Sequence, residues 1–436
     1  MSKYRGMRDK FLSTEMAQDI MNEYHFCRIN GTLHIWDGKK YTPDVEELIG
    51  DIAFELDSST NETHWKDVYT KIKKLSKRDK NITEFDNVDP YRIAFENGVL
   101  ELTELKFESN ETGEPWRYAI CNVIPRNYNP DAKEVPEVVA TIKQWANNED
   151  DVERLLWEVI GFPMLVDCNL KTIFFLYGEG DCGKTTFVKY MQKLYGSSNF
   201  TTFDIDDIDD RFNRATSCNK LFNFGDEINA GYIPKPNYLK RLSSGQTMQV
   251  ENKGKDGYQA LFYSKLIFAM NELPKINVEG NMNAWERINI INFKNQFEKN
   301  PLYDKTVGAK LYTDEAFEYV LQRAAKSIHN VINKGYFDHR DPEMWDEFMG
   351  NNVPMLWDAL KMTIDNWNVY KRNGEEKPDP QRWFESVKGY YKGKTPWMKF
   401  AKQFNKFSDN FHIRRTSVKK GKIEKQNVWV IETKEK

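Results

Sequence analysis

Gly178-Glu-Gly-Asp-Cys-Gly-Lys-Thr185 is an uninterrupted G-x-x-x-x-G-K-[ST] stretch, and its flanks decide how it is read. Upstream, Thr172-Ile-Phe-Phe-Leu-Tyr177 is short, apolar and rich in β-formers, the pattern of a buried strand. Downstream, Thr186 to Tyr195 puts Phe187, Val188, Met191, Leu194 and Tyr195 on one helical face, with Gly196 as a stop signal. Strand, glycine-rich turn and helix together form a phosphate cradle. Gly178, Gly180 and Gly183 let the backbone curl so that its N–H groups face a phosphate chain. Glu179, Asp181 and Cys182 fill the loop between them, and Thr186 follows it. Lys184 reaches the β and γ oxygens, and Thr185 offers a hydroxyl to Mg²⁺. The chain is expected to bind ATP and Mg²⁺.

Length and composition set the outer limits. The 436 residues allow two or three domains with substantial cores. A hydrophobic content of 40% with 30% charged residues is that of a globular protein, and no apolar run approaches the ~18 residues of a membrane span. Met1-Ser-Lys-Tyr-Arg-Gly-Met-Arg8 lacks the apolar centre of a signal peptide. The five cysteines are scattered and never spaced as CxxC, which predicts a reducing cytoplasm, no disulfide framework and no zinc site. His25, Cys27 and His34 read as ordinary turn and strand residues. Charge is uneven: residues 371–436 hold 18 Lys/Arg against 8 Asp/Glu, whereas residues 1–370 hold 45 against 58. A basic tail on an acidic body suggests an appended module for a polyanion.

Along the chain, residues 1–145 mix helical stretches with short strands such as Gly31–Trp36 and Tyr91–Phe95. Asn97-Gly98 reads as a tight turn. No set of carboxylates and histidines there supports polymerase or nuclease chemistry. Residues 127–136 read as a linker, followed by a helical stretch from about Glu137 to Val166. Strands and helices then alternate to about residue 294, which predicts an α/β sheet with helical cover. Phe317–Ile332 reads as a further helix.

Two more strands carry candidate catalytic groups. Leu221-Phe-Asn-Phe-Gly-Asp-Glu227 ends in a double acid, in which Asp226 fits the Mg²⁺ water shell and Glu227 fits polarisation of the attacking water. Ser264-Lys-Leu-Ile-Phe-Ala-Met-Asn271 ends in an amide that can bond a γ-phosphate. Between them, Glu251-Asn-Lys-Gly-Lys-Asp-Gly257 is turn-rich and basic, the pattern of a hairpin tip. Arg287 precedes the apolar run Ile288–Phe293 and by itself reads as a surface salt-bridge residue. An arginine supplied by a neighbouring subunit could stabilise charge on a transferred phosphoryl group, but only a family resemblance gives Arg287 that role.

Taken in order, GxxxxGKT, GDE, LKxLxxG, KxK, KLIFAxNELP and W-x-R-I-x-I-I-x-F resemble the superfamily 3 helicases. Within them the chain is most similar to the phage and plasmid primase–helicase group related to the poxvirus primase-helicase. Ile93–Leu102 and Glu158–Leu165 resemble that group as well, so the similarity covers about residues 90–335. The resemblance implies an AAA+-type ATPase core with a preceding helical collar (146–335), an α+β N-terminal domain (1–145) and a winged-helix-like C-terminal domain (345–436). It also implies that Lys240 and Gly245 belong to the motif between the second and third strands, that Lys253 and Lys255 grip single-stranded DNA in a central channel, that Asn271 is the sensor, and that Arg287 is a trans-acting finger. A homo-hexamer, a replication primase or polymerase as partner, and the cytoplasm of a bacterial host are implied in the same way. Two positions depart from the pattern: Glu286-Arg287 stands where many relatives carry two arginines, and Gln246 where aspartate is common. The N-terminal part is too short and too poor in carboxylates for a polymerase-like primase domain, so the expected activity is unwinding without priming.

In the tail, Trp397–Phe407 is an amphipathic helix pattern, and Phe411–Val418, Lys419–Lys422 and Gln426–Ile431 read as strand, turn, strand. A helix followed by a basic-tipped hairpin is how a winged helix ends. Arg414, Arg415, Lys419, Lys420 and Lys422 are therefore candidate contacts to duplex DNA. The leading expectation is an ATP-driven, ring-forming DNA helicase for a phage or other mobile element. An origin-binding initiator and a nucleotide-switched helicase loader are the alternatives.

Overall fold

A computed structural model describes residues 3–6, 10–43, 45–228, 232–233, 236–251, 258–260, 262–276, 287–297, 310–337, 341–352, 401, 411–420 and 424–433. The fold is mixed α/β with several sheets, in two compact units: residues 1–274 with 279–341, and residues 275–278 with 342–436.

The first unit begins with α1 (Ser13–Glu23), β1 (Phe26–Ile29), β2 (Thr32–Trp36), β3 (Tyr41–Thr42), α2 (Val45–Leu56), α3 (Glu62–Leu75) and β4 (Thr83–Phe85). The strands form a sheet in the order β3-β2-β1-β4. Met16, Ile20, Ile35, Ile49, Val68 and Ile72 join helices and sheet into a local core. Asn61 starts α3 through a capping box with His64, which satisfies donors that a helix N-terminus otherwise leaves open.

A second sheet follows, built from β5 (Arg92–Phe95), β6 (Gly98–Glu101), β7 (Lys106–Ser109) and β8 (Val123–Ile124) in the order β7-β6-β5-β8. Phe95 pairs with Gly98, so the turn is Glu96-Asn97, one residue before the position read from the sequence. Gly98 is needed for another reason. A Cβ there would lie 2.3 Å from the Glu108 carbonyl oxygen and 2.6 Å from the Phe107 ring.

Next come α4 (Pro136–Trp145) and α5 (Asp150–Gly161). The single helical stretch expected over Glu137–Val166 is two helices, broken where Asn147 and Asn148 both take positive φ, a conformation asparagine tolerates better than most residues. Then follow β9 (Ile173–Tyr177), α6 (Lys184–Tyr195), β10 (Phe200–Thr201), α7 (Arg211–Thr216), β11 (Phe222–Ile228), β12 (Tyr232–Ile233), α8 (Pro236–Ser243), β13 (Met248–Val250), β14 (Tyr258–Ala260) and β15 (Lys265–Met270). β16 (Lys275–Ile276) belongs to the second unit, and β17 (Ile288–Asn292) with α9 (Asp314–Lys334) returns to the first. Five strands form one parallel sheet in the order β10-β11-β15-β9-β17. Every residue of β15, and all but the last of β9 and β17, is buried, the continuous apolar pattern of a sheet covered on both faces. Thr313 caps α9, and Gly335 in the left-handed region ends it.

One apolar core runs from Ile93, Phe95, Leu100 and Ile124 through α4, α5 and α6 to Val331. Polar contacts bind the same parts. Buried Asn122 donates to Asn199 Oδ1 (3.1 Å) and Asn219 O (2.9 Å), and accepts from the Tyr263 hydroxyl (2.8 Å). At the far end of α6, Arg126 Nη2 donates to Lys193 O (2.9 Å) and the Tyr195 hydroxyl to Ile160 O (2.6 Å).

The second unit contains α10 (Pro342–Asn352) and an antiparallel ribbon of β18 (Phe411–Lys420) and β19 (Glu424–Thr433). The ribbon agrees with the two expected strands but runs longer: Lys419 and Lys420, read as turn, belong to β18, and residues 421–423 lie outside the described residues. The Trp397–Phe407 helix pattern lies outside the described residues except for buried, helical Ala401. No helix among the described residues is long and apolar enough to cross a membrane.

Candidate nucleotide site

The site sits where β9 ends and α6 begins. Gly178 and Gly183 are fixed by crowding. A Cβ on Gly178 would lie 2.5 Å from the Phe293 carbonyl oxygen and 2.8 Å from Cys182 Sγ; on Gly183, whose φ is +95°, it would meet the Phe297 and Trp145 rings at 2.7 and 2.9 Å. Asp181 also takes a positive φ, as a short polar side chain can. Glu179, Gly180, Asp181, Thr185 and Thr186 are exposed, while Cys182 and Lys184 are buried. The exposed Thr185 lies in the first turn of a twelve-residue helix, where unpaired N–H groups and the helix dipole favour an anion.

Lys184 is the hub. Its Nζ donates to Gly178 O (2.6 Å), Glu179 O (3.0 Å) and Asn271 Oδ1 (3.0 Å), and lies 3.3 Å from Cys182 Sγ. Asn271 directly follows β15, the neighbour of β9, so two adjacent parallel strands deliver both groups at their C-terminal ends. Ligands of open parallel sheets collect at that edge.

Asp226 and Glu227 fall near the end of β11, on the other side of β15. The ladder breaks there: Gly225 pairs with Phe268 and Ile228 with Met270, so two residues of β11 oppose one of β15. Such a bulge bends a strand and re-aims its residues, and bulges gather next to active sites.

The segment that follows β17 holds the loop from outside. After β17, Phe293 N donates to Tyr177 O (2.7 Å), Gln296 Nε2 to Glu179 Oε2 (3.0 Å) and Phe297 N to Asp181 O (3.3 Å). Lys294 pairs with Glu149 at 2.9 Å, and Asn295 donates to Gln144 O. Residues 293–297 thus strap the phosphate loop to the end of α4. Phe293 closes the W-x-R-I-x-I-I-x-F motif, but no motif covers residues 294–297.

Arg287 stands elsewhere. β17 pairs with β9 from Ile288–Ile173 to Asn292–Tyr177, so Arg287 enters at the end of the sheet opposite the loop, five strand steps or ~16 Å from Asn292. Its Nη1 donates to Lys240 O (2.5 Å), Ser243 Oγ (2.9 Å) and Ser244 Oγ at the C-terminal end of α8. Partial burial draws the Arg287 guanidinium below its ordinary value. Burial also lowers Lys240, with repulsion from Arg287 adding to it. Gly245 follows this helix end with φ +63°.

Lys253 and Lys255 lie outside the described residues, although the strands flanking them, β13 and β14, pair antiparallel. Arg414, Arg415, Lys419 and Lys420 lie on β18, in register with Val430, Trp429, Lys425 and Glu424. Lys422 is outside the described residues.

Residues 10–148 match a family model described as D5 N terminal like, and residues 176–287 match a family of unknown function, DUF5906. No curated protein matches the chain. Among solved structures, the A form apo structure of the NrS-1 C terminal region has a TM-score of 0.50 at 12% identity, covering 96% of this chain and 98% of that one. A second apo structure of the NrS-1 C terminal region gives 0.50 and 12% over 96% and 99%. Another A form structure of the region gives 0.50 and 13% over 89% of each chain. At these identities the likeness is one of fold. The D5-like match and this shared fold agree with the resemblance to the phage primase–helicase type of protein.

Proposed function

We propose that this chain is an ATP-driven DNA helicase of the superfamily 3 type, working as a ring in the replication of a phage or other mobile element. The observation that carries the reading is the meeting of Lys184 and Asn271 at the ends of adjacent parallel strands, with Arg287 at the opposite end of the same sheet. In this reading ATP lies along the loop N–H groups and Lys184, with Thr185 and Asp226 holding Mg²⁺ and Glu227 polarising water. The loop suits a phosphate chain: Gly178 and Gly183 leave no room for side chains, Gly180 stands in open space, and Thr185 is open at the helix start.

Arg287 is too far along β17 to serve its own loop, so it would complete the site of a neighbour. Head-to-tail repetition of that contact closes a ring, a hexamer in this reading. The β13–β14 pair would present Lys253 and Lys255 to a single strand in the channel, and the β18–β19 ribbon would lay its cations on duplex. The D5-like match supports a phage replication role. A strand-displacement assay on a forked substrate with ATP and Mg²⁺ tests the proposal. ATP-dependent separation is expected; hydrolysis without separation would point to a loader instead.

A further inference from the structure

The N-terminal region carries a charge feature that the net acidity of residues 1–370 conceals. Lys71-Ile-Lys-Lys-Leu-Ser-Lys-Arg-Asp-Lys80 holds six cations and one acid, on the last turns of α3 and the turn beyond it. Lys73, Lys74, Lys77, Arg78 and Lys80 are exposed and Lys71 is half-buried. Among the described residues, none of the six forms an ion pair. Elsewhere in the region Lys3, Arg5, Arg28, Lys39, Lys66, Arg92 and Arg117 each hold a carboxylate.

A helix C-terminus attracts cations, which accounts for Lys73 and Lys74 in the last turn. It does not account for Lys77, Arg78 and Lys80, which lie past the end. Within the helix Lys71 and Lys74 are like charges three residues apart, a spacing that disfavours it. The ridge is nonetheless rigidly mounted. Val68 and Ile72 are fully buried beneath it, and buried Ser76 accepts from Arg28 Nη2 at 2.9 Å, which pins the turn to β1. The Lys73 ammonium lies 5.8 Å from the centroid of the Tyr69 ring. A fixed row of unpaired cations beside an aromatic ring is the chemistry that meets a nucleic-acid backbone.

We propose that residues 71–80 form a second DNA-binding surface, which holds phosphates by charge and reads no sequence. It lies in a different part of the sequence from Lys253, Lys255 and the C-terminal ribbon.

The test uses the whole 436-residue chain without nucleotide, so a failure of the helicase reading leaves it interpretable. Lys74→Gln, Lys77→Gln and Arg78→Gln are combined, and thermal melting confirms the fold. Binding to a labelled duplex and a labelled single strand is measured across a salt series. The log–log salt slope should become shallower by about 0.9 per lost contact on duplex or about 0.7 on single strand, and the arm with the larger change names the form bound. In the wild-type chain, DNA should shield Lys74, Lys77 and Lys80 from an amine-acylating reagent. Unchanged slopes in both arms, or full labelling of these lysines under saturating DNA, would overturn the proposal. So would loss of binding to anionic vesicles with DNA binding intact.

Discussion

The Lys184 ammonium donates to Asn271 Oδ1 at 3.0 Å across 87 residues of sequence. Two more acceptors, Gly178 O and Glu179 O, complete its three donors. In the proposed site a γ-phosphate displaces one of these acceptors, and the amide of Asn271 is already within reach of the same oxygen.

Lys184→Ala should lower ATP turnover by about a hundredfold or more, the scale of losing one preorganised donor to developing charge. Thermal melting should change little, because the acceptors it leaves lie on a partly exposed loop. Near-normal steady-state ATPase in a folded variant would remove the site assignment.

Asn271→Ala and Asn271→Asp should separate binding from chemistry. The alanine variant should keep nucleotide affinity and lose turnover. The aspartate variant places a carboxylate beside Lys184, pairing with it and repelling phosphate, so affinity should fall as well. Titration with a fluorescent ATP analogue distinguishes the two; equal affinities would mean that residue 271 does not face the phosphates.

Glu227→Gln should bind ATP and stall, because an amide cannot polarise water while Asp226 still serves the metal. Asp226→Ala should instead weaken Mg²⁺-dependent nucleotide binding. The reverse pattern in paired binding and turnover assays would exchange the two roles.

Arg287→Ala should carry two separable costs. Within the subunit, the end of α8 loses a charged donor to Lys240 O, Ser243 and Ser244, worth about 1–3 kcal/mol. In the ring, hydrolysis should fail, and mixing with Lys184→Ala subunits should restore part of it by pairing an intact loop with an intact arginine. A melting change with no recovery in verified mixed rings would leave Arg287 a purely internal clasp. Arg287→Lys should not substitute, since an ammonium lacks the planar fork.

The strand–loop–helix at 173–195 is legible because a β-rich run, the glycine spacing and a 3.6-residue apolar period all agree there. The strands ending in Asp226-Glu227 and Asn271 were legible on the same grounds, though not the bulge, which depends on how two strands register. Non-local contacts were not legible. Nothing in Phe293–Phe297 shows that it straps a loop over a hundred residues earlier, and nothing near Arg287 shows that it clasps α8. Gly98 was marked as a turn residue, but what it avoids is Phe107 on the next strand. The basic ridge was spelled out plainly at 71–80, yet vanished into the charge sum of the acidic body around it.

The far end of α6 is moored to residues well before the phosphate loop: Arg126 holds Lys193 O, and Asn199, just beyond the helix, is locked to Asn122. The helix that would start at the γ-phosphate of the proposed site is therefore tied down at its tail. In the proposed ATP cycle a rotation begun at Lys184 would pass to β8, where Asn199 Nδ2 donates to Val123 O at 2.6 Å, and the N-terminal part would follow the nucleotide state. Amide exchange at Val123 and Ile124 should then follow nucleotide state, although neither residue is near the loop in sequence.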